Sequence, residues 1–297
     1  MTRDKNIELV VTEAASVVPD IVAGLTRFMR MNPGWRITTR STAFQYTPEW
    51  LRNSRIDGML LWPATDDIVA AARDTGVVLV ELAPHHPTPH AAVDIDDEAV
   101  GRLGADVLSD LGFRRFGFCG IPTDWSRTRG QAFTRQLCER GFAPPASVEI
   151  PFRKDLRRPL DEESPDRPVQ WLRSLSPPVA IMAAHDIAGA IMAELAQECG
   201  YLVPDDVAIL GVGNIEIICE FSPVPLSSID TGRDTLACRA CELLKAQLEG
   251  HSGPDAHLHL PPAGVRTRRS TETLAHDDPL VRKAVAAIRQ GIHNKIT

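Results

Sequence analysis

Val179-Ala-Ile-Met182, then Ile187-Ala-Gly-Ala-Ile-Met-Ala-Glu-Leu-Ala-Gln-Glu198, then Val207-Ala-Ile-Leu210 is the stretch that decides the fold. The first and last runs are short and wholly apolar, as strands buried on both faces are. The segment between them has helical length and periodicity. A strand, a helix and a strand at this spacing form a βαβ unit, whose two strands pair in parallel with the helix packed on the sheet. His185 and Asp186 come directly after the first strand, and Gly213, Asn214 and Glu216 come after the second.

The same alternation extends in both directions. Ile7-Glu-Leu-Val-Val11 predicts a strand, and Ile21, Leu25, Phe28 and Met29 then share one helical face. Strands are predicted at 35–37, 58–62, 77–82, 91–95, 115–119 and 147–150, with helices at 99–111 and 129–139. These are too many strands for one ordinary sheet. The chain is therefore expected to be α/β, with two doubly wound, mainly parallel lobes and a break near Leu111-Gly-Phe113. One lobe takes 6–112 plus a helix over 231–250, and the other takes 113–228 plus a strand near 256–265. Together they make a unit over 6–268, followed by a linker over 269–277. In the last segment, 278–297, Asp278 suits an N-cap and Pro279 the first helical position. Val281, Ala284, Val285 and Ile288 form an apolar stripe there, so the segment reads as the opening of a further helical domain.

Composition narrows the function. The chain has 297 residues, 43% hydrophobic and 24% charged, which is the balance of a folded globular protein. A net charge of −7 argues against a basic nucleic-acid-binding surface on this part of the protein. No apolar run reaches the roughly 18 residues of a membrane span, and the run after Met1 is too short for a signal-peptide core, so a cytoplasmic location is expected. The six cysteines are scattered and read as small buried hydrophobes in a reducing compartment. Cys238 and Cys241 form a C-x-x-C inside a helical pattern with no second pair, so no metal site is expected there. His85, His86 and His90 sit in a Pro-rich stretch without a spaced carboxylate and read as a solvated loop. Gly211-Val-Gly213 lacks the third glycine of a dinucleotide fingerprint, because Glu216 stands in its place. No cofactor is expected.

In open α/β sheets, ligands bind beyond the carboxyl ends of the strands. The residues standing there are Glu13, Trp62, Asp96, Trp125, Arg129, His185, Asp186 and Asn214. Carboxylates accept hydrogen bonds from adjacent hydroxyls, arginine donates in a fork, and an indole face covers the C–H surface of a sugar ring. These eight are the candidate ligand-binding residues, for a sugar or related polyol held in the cleft between lobes. Each also has a plainer reading as a cap or loop residue, and Asp186, just before a helix, suits an N-cap. Paired carboxylates could serve a sugar-modifying enzyme, but no nucleophile, metal or cofactor motif accompanies them, so a binding protein is expected rather than an enzyme.

With these residues in view, the chain resembles bacterial transcription activators of the xylose-operon type. The resemblance rests on Val11-Thr-Glu13, Asn32-Pro-Gly-Trp35, Ile56-Asp-Gly-Met-Leu60, Phe113-Arg-Arg-Phe-Gly-Phe-Cys-Gly120 and Trp125-Ser-Arg-Thr-Arg129. Its most specific part is Ala183-Ala-His-Asp-Ile-Ala188, Val203-Pro-Asp-Asp-Val-Ala-Ile-Leu-Gly211 and Pro225-Leu-Ser-Ser-Ile229, in that order. The resemblance implies a sensor of the lactose-repressor and periplasmic-binding-protein fold, followed by a helix-turn-helix domain of the arabinose-activator type. It implies ligand contacts at Glu13, Asp96, Trp125, Arg129 and Asp186. The family commonly has Asp where Gly213 stands and Tyr-Gly-Arg-Gly where Val17-Val-Pro-Asp20 stands. A sugar or similar effector is thus implied, and not xylose in particular. DNA contact is expected only through the C-terminal domain, whose recognition helices would lie beyond residue 297. A homodimer is implied as well, with Leu236, Leu243 and Leu244 as an apolar helical face for it. The same fold also serves solute-binding proteins for sugar uptake, which need an export signal.

Overall fold

The computed structural model describes residues 4–11, 18–39, 47–62, 64–84, 88–151, 167–251, 253, 256–273, 280, 281 and 284. In chain order the elements are β1 (Lys5–Val11), α1 (Val18–Met31), β2 (Trp35–Thr39), α2 (Pro48–Asn53), β3 (Gly58–Trp62), α3 (Asp66–Thr75), β4 (Val78–Leu82) and β5 (Ala92–Ile95). Then follow α4 (Asp97–Asp110), β6 (Phe116–Gly120), α5 (Asp124–Glu139), β7 (Ala146–Glu149), α6 (Arg167–Ser174), β8 (Val179–Ala183) and α7 (Asp186–Glu198). The chain continues through β9 (Val207–Val212), α8 (Glu216–Phe221), β10 (Ser227–Asp230), α9 (Arg233–Leu248), β11 (His257–Leu260) and β12 (Gly264–Arg266), with a 3₁₀ turn at Arg269–Thr271. None of the described helices is long and apolar enough to cross a membrane.

Two compact units emerge, each a doubly wound α/β body. Unit 1 takes 1–96 and 232–261, and unit 2 takes 97–231 and 262–297. The sheet of unit 1 has the order β11-β5-β4-β3-β1-β2, and all of its pairings are parallel. Met59, Leu60, Leu61, Val80 and Leu82 are buried on both faces of its middle strands, as helices covering both sides require. Leu236, Leu243 and Leu244 of α9 are part of this core, so they cannot form the dimer face expected of them. Unit 2 has the order β12-β10-β9-β8-β6-β7, parallel except for the β10–β12 pair. Every residue of β6, β8 and β9 is buried.

Boundaries differ from the sequence reading at three places. The first crossing falls between Asp96 and Asp97, because α4 packs against α5 and so belongs to unit 2. The single strand expected at 256–265 is two strands in different sheets, β11 and β12. Pro261 and Pro262 lie between them, and proline has no N–H with which to continue a ladder. The start of the expected linker, 269–271, is an ordered turn with Ser270 and Thr271 buried. Of the expected last helix, Leu280, Val281 and Ala284 are helical, and the remainder lies outside the described residues.

Candidate functional site

Each sheet has one point where the winding reverses, between β1 and β3 in unit 1 and between β6 and β8 in unit 2. Residues beyond the carboxyl ends of those strands border the crevice such folds use for ligands. In unit 2 these residues are Trp125 and Arg129 after β6, and His185 and Asp186 after β8.

Arg129 is the centre of the group, only 3% exposed. Its Nε and Nη2 both lie 2.7 Å from Oδ1 of Asp97 at the start of α4, and Nη1 donates to the Ala184 carbonyl at 2.7 Å. Its guanidinium lies 4.4 Å from the centre of the Trp125 ring, a cation–π distance. The Trp125 and His185 rings are 6.1 Å apart. Local capping sets these positions. Thr123 accepts from the Ser126 N–H to start α5, and Ser126 Oγ in turn accepts from the Ile121 N–H at 3.0 Å. Gly101 of α4 lets α5 come close, since a Cβ there would meet the Arg129 carbonyl at 2.4 Å.

Asp186 is not the N-cap of α7. That role belongs to His185, whose Nδ1 accepts from the Ile187 N–H. Asp186 is completely buried, with Oδ1 accepting from Ser228 Oγ at 2.5 Å and Oδ2 from the Ile215 N–H at 2.7 Å. Its carboxylate therefore ties α7 to the segment after β9. Gly211 leaves room for it, because a Cβ there would lie 2.4 Å from Oδ1. Asn214 has φ of 51°, an unusual left-handed conformation for a residue other than glycine. Its N–H donates to Ser228 Oγ at 2.9 Å, its Nδ2 donates to Asp230 at 3.1 Å, and its Oδ1 accepts from Arg268 at 3.1 Å.

In unit 1, Trp62 ends β3 and is half-buried, and Asp96 follows β5 with its N–H bonded to the Leu260 carbonyl at 2.8 Å. Glu13 lies outside the described residues. The segment after β3 is held by Glu81 of β4, which is 0% exposed. One of its oxygens accepts from the Ala64 N–H at 2.8 Å and the other meets His90 Nε2 at 2.7 Å. His90 is thus paired with a carboxylate on β4, contrary to the solvated loop expected of it, while His85 and His86 lie outside the described residues. A cavity of about 310 Å³ lies near the opposite end of β4, lined by Val69, Ala72, Leu79 and Pro89, and none of the described candidate residues lines it. The described residues contain no cluster of three or more His, Cys, Asp or Glu placed to hold a metal ion.

The sequence reading missed Ser228, Asp230, Glu81 and Arg268; Asp97 stands at the same strand end as Asp96 but was not among the eight candidates. Asp230 was within reach of the strand-end rule, since it closes β10. Arg268 left no local signal, because its side-chain partners are 42 to 54 residues away.

The model of the periplasmic binding protein-like domain matches residues 105–271, more than half of the chain. The chain belongs to that family. Among relatives, this periplasmic binding protein-like chain is 29% identical over 223 residues to a xylose operon regulatory protein of Haemophilus influenzae, covering 73% of the chain and 55% of the relative. It is 26% identical over 246 residues to the xylose operon regulatory protein of Escherichia coli K12, covering 78% and 61%. It therefore spans little more than half the length of these relatives. Among solved structures, one described as the xylose-binding transcription activator xylR superposes with a TM-score of 0.77 at 23% identity, covering 97% of this chain and 75% of that one. A protein of Alkaliphilus metalliredigens complexed with D-xylulofuranose gives 0.68 at 19% identity, covering 91% and 100%. These likenesses agree with the two doubly wound units of the periplasmic binding protein-like fold.

Proposed function

We propose that this chain is the effector-sensing part of a transcriptional regulator, binding a sugar or related polyol at the carboxyl ends of its strands and thereby controlling a DNA-binding region. The observation that carries the reading is Arg129, a buried guanidinium stacked on Trp125 at the winding reversal of unit 2. A buried cationic donor beside an indole face suits a hydroxyl-rich ring. In this reading Arg129 donates to the sugar, Trp125 covers its C–H face, and His185 and Asn214 add polar contacts. Asp186 acts as the brace that keeps them in place. Trp62 and Asp96 stand at strand ends of unit 1.

The names of the relatives support regulation over solute uptake or catalysis. Such a regulator works in the cytoplasm, where its DNA is. It works as a pair of chains, and the exposed Ile217 and Phe221 on α8 offer an apolar patch for a second copy. Calorimetric titration with D-xylose, D-xylulose, cellobiose and a panel of other pentoses and polyols tests the sensing. Saturable binding that Arg129→Ala weakens is expected. A folded protein that binds none of them overturns the proposal.

A further inference from the structure

After β12 the chain folds back onto unit 2, and its hold there runs through Arg268. The side chain, 10% exposed, is a fork with three acceptors. Nε donates to Glu220 at 2.6 Å, Nη1 to the Leu226 carbonyl at 3.1 Å, and Nη2 to Oδ1 of Asn214 at 3.1 Å. Its N–H donates to Ser227 Oγ at 2.7 Å. The turn that follows is seated by buried hydroxyls, with Ser270 Oγ donating to the Ile209 carbonyl at 2.6 Å and Thr271 Oγ1 to Ser227 Oγ at 2.7 Å. One side chain thus joins three things: the left-handed residue after β9, the short helix α8, and the segment that follows β12.

The Asn214 amide is held at both ends, by Asp230 on its nitrogen and by Arg268 on its oxygen. A hydroxyl that drew on Asn214 or Asp230 would change the terms on which Asn214 accepts from Arg268. A guanidinium is planar and rigid, so losing or shifting one of three bonds alters the other two. We propose that Arg268 is a positioning residue for the 213–215 loop and couples the state of that loop to the seating of 268–271. This rests on the effector-sensing reading for its biological meaning, but the coupling itself is a property of unit 2 and operates without a sugar.

Amide hydrogen exchange on the full chain tests it, first without any sugar. Asn214→Gly keeps the left-handed backbone and deletes only the side-chain amide. It should speed exchange at Arg268, Ser270 and Thr271. Arg268→Met keeps the apolar stem and deletes the fork, and it should speed exchange at 213–215. Each change should be about tenfold or more, the equivalent of a lost charge-assisted hydrogen bond. Amides of β6 and β8 should keep their protection in both variants. If either variant loosens only its own segment, the coupling is overturned, and Asn214→Gly decides it even if Arg268→Met fails to fold. With D-xylose or D-xylulose added to saturation, a wild-type change at 213–215 should be matched at 268–271 and should stay confined to 213–215 in Arg268→Met. A wild-type change at 213–215 alone would overturn the coupling. No response to any sugar at any segment would instead remove the sensing reading, leaving the sugar-free comparison to stand for the coupling.

Discussion

Ser228 donates its hydroxyl to Asp186 at 2.5 Å, so a carboxylate that starts one helix is answered from a strand 42 residues later. The same carboxylate holds the Ile215 N–H, so removing it leaves a buried donor without an acceptor. Asp186→Ala should therefore lower the unfolding free energy by about 3 kcal/mol, from charge-assisted bonds of about 1.5–3 kcal/mol each. Urea denaturation measures it. A loss near 1 kcal/mol, the ordinary value of a helix cap, would show that the brace contributes little.

Arg129 and Asp97 form a nearly buried pair, with side chains 4% and 11% exposed. Arg129→Met takes the guanidinium from the nearly buried Asp97 carboxylate and should destabilise the protein by about 3 kcal/mol. Asp97→Asn combined with Arg129→Met should destabilise less than the sum of the two single changes, because the pair acts as a unit. Arg129→Lys should hold an intermediate stability, since an ammonium cannot fork to Asp97 and the Ala184 carbonyl as the guanidinium does. Equal stability for the Met and Lys variants would show that the fork geometry does not matter.

The contrast between Arg129 and Arg268 explains what the sequence made legible. Arg129 lies one helical turn past Trp125 behind a strongly apolar run, so periodicity alone placed it at a strand end. The βαβ alternation located most of the central strands for the same reason, since strands covered on both faces must be apolar throughout. Short α2, α6 and α8 and four-residue β10 carried too few residues to show a period, and Asp230 was lost with β10. The partners of Asp186, Glu81 and Arg268 are set by tertiary approach, which leaves no mark in local spacing.

Glu81 and His90 supply a separate test within unit 1. His90→Phe removes one of the two donors to a fully buried carboxylate and should destabilise the protein by about 3 kcal/mol in thermal or urea unfolding. Adding Glu81→Met should recover part of that loss by removing the uncompensated charge, although the Ala64 N–H then lacks its acceptor. A double variant less stable than His90→Phe alone would contradict this account.

Buried thiols predict an alkaline weakness. Burial pushes the Cys119 thiol up from 9.0 to about 12, and burial together with the nearby Asp186 charge does the same for Cys219. Between pH 9 and 12 the unfolded chain releases protons that these folded thiols keep, so stability should fall as pH rises through that range. Each thiol contributes up to about 1.4 kcal/mol per pH unit. Denaturation curves at pH 8, 9 and 10 measure the slope, which should be shallower for Cys119→Ala. At neutral pH a thiol reagent should label exposed Cys138 quickly and Cys119 and Cys219 only after unfolding.

The three crossings of the chain also set a schedule. Unit 1 lacks α9 and β11 until residue 260 has been made, and unit 2 lacks β12 and the 268–271 clasp until residue 271 has been made. During synthesis from the N-terminus, β1 to β5 must wait, with one covering helix missing, while nearly all of unit 2 is made. The two bodies then become complete within about a dozen residues of each other. A nascent chain stopped between β10 and β11 therefore holds two unfinished sheets.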